Sequence, residues 1–444
     1  MNALQRTVKF LATLMFGVAL LCASSQLLSA QLKPPPPGVN AVLDSARAIR
    51  GQQLELTLIT YGPTDEVDER FGHDAIEMHD LTTGIDLAYN WGMFSFDQPG
   101  FYWNFLTGDT HYWMKAIPTD DFNQLYVQRN RTIRLQKLAL TPVERAALAE
   151  YLAWNATEAN KYYRYDYYND NCATRARDAL DYVLKGRLKP ALDTGTFGRT
   201  WRSETARVTA SNYPVYAGIE LALGRHADEK LTPWAESFMP ERFADAMENL
   251  ALRNDEGQRY KVVAHDSIVY QSTRVPMPHD PPERVSMAAL LGLTLAGIIA
   301  FLADSRFKIS RKVLVTFVAL WYGVGGILGT ALLLAGTVTK HAPYMGANIT
   351  LWQINPVLLA AALVVPIAFS RRQSTATARA ISTLILGLSV VGMLLQLVSV
   401  LAQHNGVVIA VILPVHFAIA VALWRMARAD RPRHVSTASI QRAA

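Results

Sequence analysis

Residues 281–303 read PPERVSMAALLGLTLAGIIAFLA. From Val285 onwards long apolar segments dominate the chain, whereas charged residues are frequent before it. The 19 residues from Val285 to Ala303 carry no charge, and a helix of that length can cross the hydrocarbon core of a bilayer. Four more apolar segments follow: Val313–Val338, Leu351–Phe369, Ile381–Ala402 and Val407–Trp424. We therefore predict an all-α domain of five transmembrane helices over residues 284–426.

The basic residues between these segments predict their orientation. The loop after the second segment holds only Lys340, and the loop after the fourth holds no Lys or Arg. The remaining loops and the tail are basic, with Arg306, Lys308, Arg311, Lys312, Arg371, Arg372, Arg379, Arg425, Arg428, Arg431 and Arg433. Because basic loops stay in the cytoplasm, residues 427–444 are expected to form a cytoplasmic tail. The part before the first span should lie in the periplasm of a bacterium, with the spans in its inner membrane.

Composition excludes several classes of protein. Of the 444 residues, 50% are hydrophobic and 18% are charged, which is unlike a disordered or fibrous chain. Two cysteines are too few for a disulfide-stapled secreted scaffold. The formal charge of +6 comes from 43 basic and 37 acidic residues. Since the basic residues concentrate in the membrane loops, this charge indicates topology, and we predict no nucleic-acid partner.

The N-terminus has the order of a secretory signal. Arg6 and Lys9 precede the apolar run Phe10–Leu21, and small and polar residues follow. Residues 1–30 are therefore predicted to be a signal peptide, with an uncleaved N-terminal anchor as the alternative. We interpret Cys22 as part of the apolar run and not as a lipid-modified residue.

The region between the signal and the first span is predicted to be a periplasmic catalytic domain, residues 39–283. A Pro-rich linker, residues 31–38, precedes it and contains Pro34–Pro37, which favours a stiff extended conformation. Short β-branched or aromatic segments bounded by turn residues predict five strands: Leu54–Thr60, His73–Met78, Ile85–Trp91, Tyr112–Ile117 and Thr132–Leu138. The expected fold class is α+β.

Helices are predicted between and after these strands. Thr141-Pro142-Val143-Glu144 is a capping box with proline at the first helical position, and it should open a helix towards Trp154. A second helix is expected from Cys172 to about Leu184, and Trp234–Leu250 has helical periodicity interrupted at Pro240.

Cys172 is the candidate nucleophile of this domain. Residues 165–175 read YDYYNDNCATR, and Asn171 is a good N-cap that places Cys172 in the first turn of a helix. There the helix dipole and unpaired N–H groups favour a thiolate. If the signal is removed, this thiol is unpaired in an oxidising compartment. It is then either buried and inert or a reactive group with a catalytic role. Arg175, one turn further, either adds positive potential or lies in solvent.

His73 is the candidate general base. In Phe71-Gly72-His73 a glycine precedes a histidine at the start of an alternating strand, which permits close approach of another chain or a substrate. A purely structural role for His73 is equally compatible with the pattern; His79 and His111 are weaker candidates. The histidines are scattered, and the spacing typical of a zinc site is missing. We therefore predict no metal and no cofactor.

The domain resembles the N-terminal periplasmic domain of the Lnb-type lipoprotein N-acyltransferases, over roughly residues 50–250. The matching pieces are Phe71-Gly72-His73, Tyr89-Asn90-Trp91-Gly92-Met93-Phe94, Phe101 to Gly108, Tyr112, Asn171-Cys172-Ala173-Thr174-Arg175, Pro233-Trp234 and Phe238-Met239-Pro240. More loosely, His341, Asn348 and Asn355-Pro356 resemble the family's loop before the third span.

This resemblance implies a circularly permuted papain-like (NlpC/P60-like) fold, related to lecithin:retinol acyltransferase, in which histidine precedes cysteine. It implies Cys172 and His73 as catalytic residues. Asn90 could orient the imidazole as a third catalytic member, with Asp86 and His79 as competitors. Polar groups at the membrane boundary are candidates for substrate binding or for helix capping. The predicted substrate-binding residues are Arg175, His341, Asn348 and Asn355.

The activity implied by the resemblance is an acyl transfer. The donor would be a membrane phospholipid, the intermediate a Cys172 thioester, and the acceptor the α-amine of the diacylglyceryl-cysteine of a lipoprotein. Trp103, Trp113 and the Tyr162–Tyr168 cluster could lie at the membrane interface or in the core. Two alternatives stay open: a cysteine hydrolase of the same superfamily, acting on peptidoglycan or phospholipid, and a non-enzymatic membrane scaffold.

Overall fold

A computed structural model describes residues 41–66 and 69–429. The predicted signal or anchor (residues 1–30), the Pro-rich linker (residues 31–38) and most of the cytoplasmic tail lie outside these described residues. The described chain forms two compact units. One contains residues up to 216 together with 227–282, and the other contains residues 217–226 and 283 onwards.

The first unit is built on an antiparallel sheet of seven strands, in the order β6-β4-β3-β2-β1-β5-β9. A separate hairpin is formed by β7 and β8. The strands are β1 (Leu54–Tyr61), β2 (His73–Asp80), β3 (Asp86–Met93), β4 (His111–Pro118), β5 (Ile133–Leu138), β6 (Tyr162–Arg164), β7 (Ala251–Arg253), β8 (Arg259–Lys261) and β9 (Val263–Tyr270). The five predicted strands form the centre of the sheet, and the two unpredicted strands, β6 and β9, lie at its edges.

Helices cover both faces of this sheet. The helices before the membrane spans are α1 (Ala41–Gly51), α2 (Phe101–Thr107), α3 (Thr119–Gln128), α4 (Pro142–Asn155), α5 (Cys172–Val183), α6 (Leu188–Leu192), α7 (Trp201–Thr209), α8 (Tyr213–Ala222), α9 (Pro233–Glu236) and α10 (Pro240–Glu248). Helices α4, α5 and α10 pack on one face of the sheet and α3 packs on the other. The predicted capping box opens α4, because Thr141 N–H donates to Glu144 Oε2 at 2.8 Å and Thr141 Oγ1 accepts from Glu144 N–H at 3.3 Å.

Alternation along β1 and β2 creates two separate cores. Leu56, Leu58 and Ile76 point to the face covered by α4 and α5, whereas Ile59 and Ala75 point to the face covered by α3. Since successive strand residues face opposite sides, His73 shares the α3 face with Ala75, and Asp74 lies on the α5 face with Ile76. This alternation decides which groups surround the candidate catalytic residues.

The second unit contains five helices that are long and apolar enough to cross a membrane, counted over the described residues. They include α11 (Val285–Asp304), α12 (Lys308–Val338), α14 (Val357–Arg371), α15 (Ala376–Leu394) and α16 (Gly406–Ala429), and a short helix α13 (Ala342–Met345) precedes the third span. In the third span, a 3₁₀ turn over Ile349–Trp352 precedes Asn355-Pro356, and the regular helix begins at Val357. The residue before a proline disfavours helical geometry, which explains the late start.

Residues 217–226 belong to the membrane unit, which differs from the predicted catalytic domain of residues 39–283. The Asn348 side chain donates to the carbonyls of Leu221 and Ala222 at 2.8 and 3.1 Å. Gly224 N–H donates to Tyr344 O at 2.7 Å. These partners are more than a hundred residues away in the chain, so no local pattern around residues 217–226 could have predicted the assignment.

Candidate active site

Cys172 is half-buried and begins α5, as predicted. The Asn171 side chain caps the helix by accepting from Thr174 N–H at 3.0 Å, while Thr174 Oγ1 accepts from Asn171 N–H at 2.8 Å. The amide of Asn171 also donates to Phe238 O at 2.9 Å and to Tyr167 O at 3.1 Å. Every polar atom of the cap is therefore used to fix the backbone that carries the sulfur.

His73 begins β2 and lies among aromatic rings. Its ring is nearly parallel to those of Tyr61 (6.3 Å, 27°) and Tyr126 (6.2 Å, 20°), and Phe122 meets it edge-on at 5.9 Å. The Nε2 atom is buried and makes no hydrogen bond within the described structure. These contacts fix the plane of the imidazole.

Gly92 is the point at which Cys172 and His73 meet. A Cβ atom added to Gly92 would lie 3.8 Å from Cys172 Cβ and 3.9 Å from His73 Cε1. Gly92 has φ +94°, and the pairing of β3 with β4 is irregular between Asn90 and Met93. Such irregularities re-aim the backbone beside many active sites. The structure thus brings the predicted nucleophile and base within 4 Å of one point beside Gly92.

Gly72 explains the glycine of the Phe71-Gly72-His73 motif. It has φ +88°, and an added Cβ would lie 2.9 Å from Tyr61 O. Pro240 also approaches, with two side-chain atoms at 3.5 Å from the same position. Only glycine fits this conformation without displacing the strand, so Gly72 sets the start of β2 and hence the position of His73.

Asn90 is the candidate third residue that the structure places beside His73. It is fully buried, its Nδ2 donates to Lys115 O at 2.8 Å, and its side chain acts on the imidazole to raise the His73 pKa. No hydrogen bond of normal geometry reaches Asn90 Oδ1 in the described chain. The competitors His79 and Asp86 contact each other at 3.2 Å, at the other end of β2.

Arg131 is a buried cation that the sequence reasoning did not identify. It is 1% exposed; its Nε donates to Gly62 O at 2.6 Å, and its Nη1 lies 3.3 Å from Glu69 Oε2. The guanidinium stacks on Tyr126 at 4.3 Å, and its Nη2 has no hydrogen-bond partner in the described residues. In the sequence Arg131 follows Asn130 just before a strand, a position that is normally exposed, so no local signal marked it.

The pKa values of the two candidate catalytic groups are shifted in opposite directions. Burial raises the pKa of Cys172 to about 12; the carboxyl of Asp74 raises it too, whereas the N–H groups of Asp74 and Ala173 and the charge of Arg131 lower it. Burial, assisted by Arg131, lowers the pKa of His73 to about 3. At neutral pH the pair is therefore a thiol beside a neutral imidazole, which favours general-base activation over a preformed ion pair.

Arg175 is buried and paired, and does not lie in solvent. Its guanidinium pairs with Asp170, with Nη2 at 2.8 Å from Oδ2, and stacks on the Tyr163 ring at 3.9 Å. Its charge is thus compensated inside the protein. Arg131 is a cation whose charge lowers the pKa of Cys172.

The predicted substrate-binding residues of the membrane unit lie in its loops. His341 is half-buried before α13. Asn348 is buried, caps a 3₁₀ turn by accepting from Thr350 N–H at 3.0 Å, and donates to residues 221 and 222. Asn355 Oδ1 accepts from Val357 N–H at 3.1 Å, while its Nδ2 is buried without a partner in the described chain. Capping thus accounts for one oxygen of each asparagine, and their predicted role in substrate binding stays a prediction.

The pH dependence of Cys172 alkylation tests the neutral pair. With a pKa of about 12, the thiolate fraction should rise about tenfold per pH unit, and the rate with iodoacetamide should rise in parallel between pH 7 and 9.5. The rate is measured by mass spectrometry of the peptide that carries Cys172. In the unfolded chain the rate should level off above about pH 8.5. A folded-state rate that is constant below pH 7 would contradict the prediction.

The variant Arg131→Gln tests whether the charge of Arg131 lowers the pKa of Cys172. Removing the cation is expected to raise the Cys172 pKa further and to slow alkylation at each pH. Arg129→Gln is the matched control, because Arg129 also pairs with Glu69 but is half-exposed. Equal rates for the two variants would show that Arg131 does not act on the sulfur.

Fold and site together define the class: a membrane protein with an N-terminal domain that holds a cysteine at a helix N-terminus beside a strand histidine. Among the described residues, no group of three or more His, Cys, Asp or Glu side chains could hold a metal ion. Residues 44–207 match the family model described as the Lnb N-terminal periplasmic domain. Residues 44–207 are therefore similar to an Lnb-type periplasmic domain, and helices that fit a transmembrane domain follow this part of the chain. No curated protein and no solved structure matched the chain.

Proposed function

We propose that this protein is a lipoprotein N-acyltransferase of the bacterial inner membrane. The observation that carries the proposal is that Cys172 and His73 both lie within 4 Å of a Cβ position at Gly92. The domain that holds them matches the Lnb family model, and five apolar helices follow it in the described chain. The order of histidine before cysteine is the order expected of a permuted papain-like fold. A membrane anchor suits an enzyme whose two substrates both carry acyl chains.

The first half-reaction acylates the enzyme. His73 takes the proton of the Cys172 thiol as the sulfur attacks the ester carbonyl of a phospholipid. A C–S bond forms, the ester C–O bond breaks, and His73 returns the proton to the oxygen of the leaving lysophospholipid. The products are a Cys172 thioester and a neutral imidazole.

The second half-reaction transfers the acyl group to nitrogen. The α-ammonium of the diacylglyceryl-cysteine gives one proton to His73 and becomes a nucleophilic amine. Its nitrogen attacks the thioester carbon, a C–N bond forms and the C–S bond breaks. The remaining surplus proton on nitrogen passes to the Cys172 sulfur, and His73 releases its proton to solvent.

Both half-reactions pass through a tetrahedral oxyanion, which needs hydrogen-bond donors. The N–H group of Cys172 is the donor that we propose, because the first N–H groups of a helix have no intrahelical acceptor. The N–H groups of Thr174 and Arg175 already donate to Asn171, at 3.0 Å each. Asn90 is proposed to orient the imidazole during the proton transfers.

The direct test is to detect the thioester. Full-length protein is incubated with phospholipid vesicles, and the peptide that carries Cys172 is analysed by mass spectrometry. We expect one added acyl mass that neutral hydroxylamine removes and that is missing in Cys172→Ala. Adding a diacylated lipopeptide should then move the acyl group to its α-amine.

Two other outcomes would replace this proposal. Formation of the thioester followed by release of free fatty acid, with no N-acylated lipopeptide, would identify a hydrolase. Absence of any acyl adduct, together with full cellular function of Cys172→Ala, would identify a scaffold.

A further inference from the structure

Helix α2 exposes large apolar side chains. Tyr102, Trp103 and Leu106 are 71%, 69% and 65% exposed, whereas Phe101 at the start of the helix is buried. We call these three residues the exposed face of α2. Contiguous exposed apolar side chains on a globular domain mark interaction sites, and Trp and Tyr are enriched where proteins meet the bilayer interface.

A row of stacked rings leads inwards from this helix. Phe101 stacks on Phe94 at 5.9 Å, Phe94 on Tyr112 at 5.0 Å, and Tyr112 on Tyr165 at 4.3 Å, each pair within 23° of parallel. We call these four residues the aromatic strip. Phe94, Tyr112 and Tyr165 are half-buried, so the strip keeps an accessible apolar surface.

The aromatic strip ends at the candidate nucleophile. Phe94 is two residues from Gly92, which approaches Cys172 Cβ. At the other side, Tyr112, Tyr165 and Cys172 pack on the same hydrophobic core. Burial raises the pKa of Tyr165 well above its ordinary value, and a negative charge on Cys172 would raise this pKa further. Such an effect requires the two side chains to be close.

We propose that the aromatic strip binds the acyl chain of the lipid donor and that the exposed face of α2 contacts the bilayer from which the donor is taken. This inference rests on the proposed function and names the site that selects a long-chain lipid. An acyl chain fits because the half-buried rings of the strip form a row of apolar surface. A bilayer is expected nearby because the described residues include five helices that are apolar enough to cross one.

The test compares two acyl donors on one set of variants. The triple variant Tyr102→Ser, Trp103→Ser, Leu106→Ser removes the exposed face of α2 at positions whose exposure should preserve folding. Phe197→Ser is the matched control, because Phe197 is 69% exposed and lies outside the strip. The rate of Cys172 acylation is measured with long-chain phospholipid in vesicles and with water-soluble p-nitrophenyl butyrate.

We expect the ratio of long-chain to short-chain rates to fall at least tenfold in the triple variant and to be unchanged in Phe197→Ser. An unchanged ratio in the triple variant, with the wild-type protein acylated from vesicles, overturns this inference alone and would assign the exposed face to a protein partner or a second copy. If the wild-type protein is not acylated from vesicles at all, the proposed function fails and the inference fails with it.

A substitution inside the strip gives an independent measurement. Phe94→Trp enlarges one ring between α2 and Gly92, and should shift the preferred donor from long towards shorter acyl chains. A chain-length profile identical to that of the wild-type protein would overturn the assignment of the strip to the acyl chain.

Discussion

His73→Ala is expected to slow acylation of Cys172 by about 10²- to 10⁴-fold, the usual contribution of a positioned general base. The reason is the state of the thiol: with a pKa of about 12, Cys172 is almost entirely protonated at pH 7 and needs a group that removes its proton. The measurement is single-turnover mass spectrometry of the acyl adduct. Raising the pH should partly restore the rate of the variant, because hydroxide then supplies the thiolate.

His111→Ala is the control for this variant. His111 also begins a strand, β4, but its side chain is exposed and lies near Asp109. We expect its acylation rate to match that of the wild-type protein. If His73→Ala retained a rate within about threefold of the wild type, Cys172 would have to be activated by another group, and the proposed mechanism would be wrong.

Gly92→Ala is expected to abolish detectable acylation and also to destabilise the domain. A side chain at φ +94° is strained by about 1–3 kcal/mol. Its Cβ would also lie 3.8 Å from Cys172 Cβ and 3.9 Å from His73 Cε1, and would occupy space that the proposed mechanism requires for the substrate carbonyl. Stability is measured as the denaturation midpoint, and activity as the acyl adduct on Cys172.

Gly84→Ala is the control that separates backbone strain from obstruction of the site by the added Cβ atom. Gly84 lies between β2 and β3 with φ +68°, and an added Cβ meets no atom within 4 Å. The two variants should lose similar amounts of stability, but Gly84→Ala should keep its activity. If both variants were equally active once folded, the space at Gly92 would not be part of the site.

Local patterns predicted the elements that carry the site. The Asn171 cap and the Thr141 capping box depend on residues three positions apart, so they can be read from the sequence, and both form as expected. The five central strands and the five apolar helices also follow from short-range periodicity. The local settings of Cys172 and His73 made each a candidate on its own, and the resemblance to a family supported their pairing, because no spacing rule connects residues so far apart.

The features that sequence reasoning missed depend on distant contacts. Arg131 reaches the site because it is anchored to Gly62 and Glu69 and stacked on Tyr126, and its own neighbours in the sequence give no sign of this. For Arg175, the position one turn after Cys172 is compatible with an added positive potential or with solvent exposure, whereas in the structure Asp170 pairs with its guanidinium. Burial and pairing with carboxylates determine how strongly an arginine lowers the pKa of Cys172. Both depend on the folded structure and cannot be inferred from neighbouring residues in the sequence.

Burial of Cys172 also bears on its survival outside the cytoplasm. Peroxides and disulfides react with thiolates much faster than with thiols, and a pKa of about 12 leaves very little thiolate between turnovers. The desolvation that raises the pKa of Cys172 therefore also protects the sulfur from sulfenic acid formation and from mixed disulfides. We therefore expect Cys172 to stay reduced under oxidative stress that oxidises cysteines of ordinary acidity.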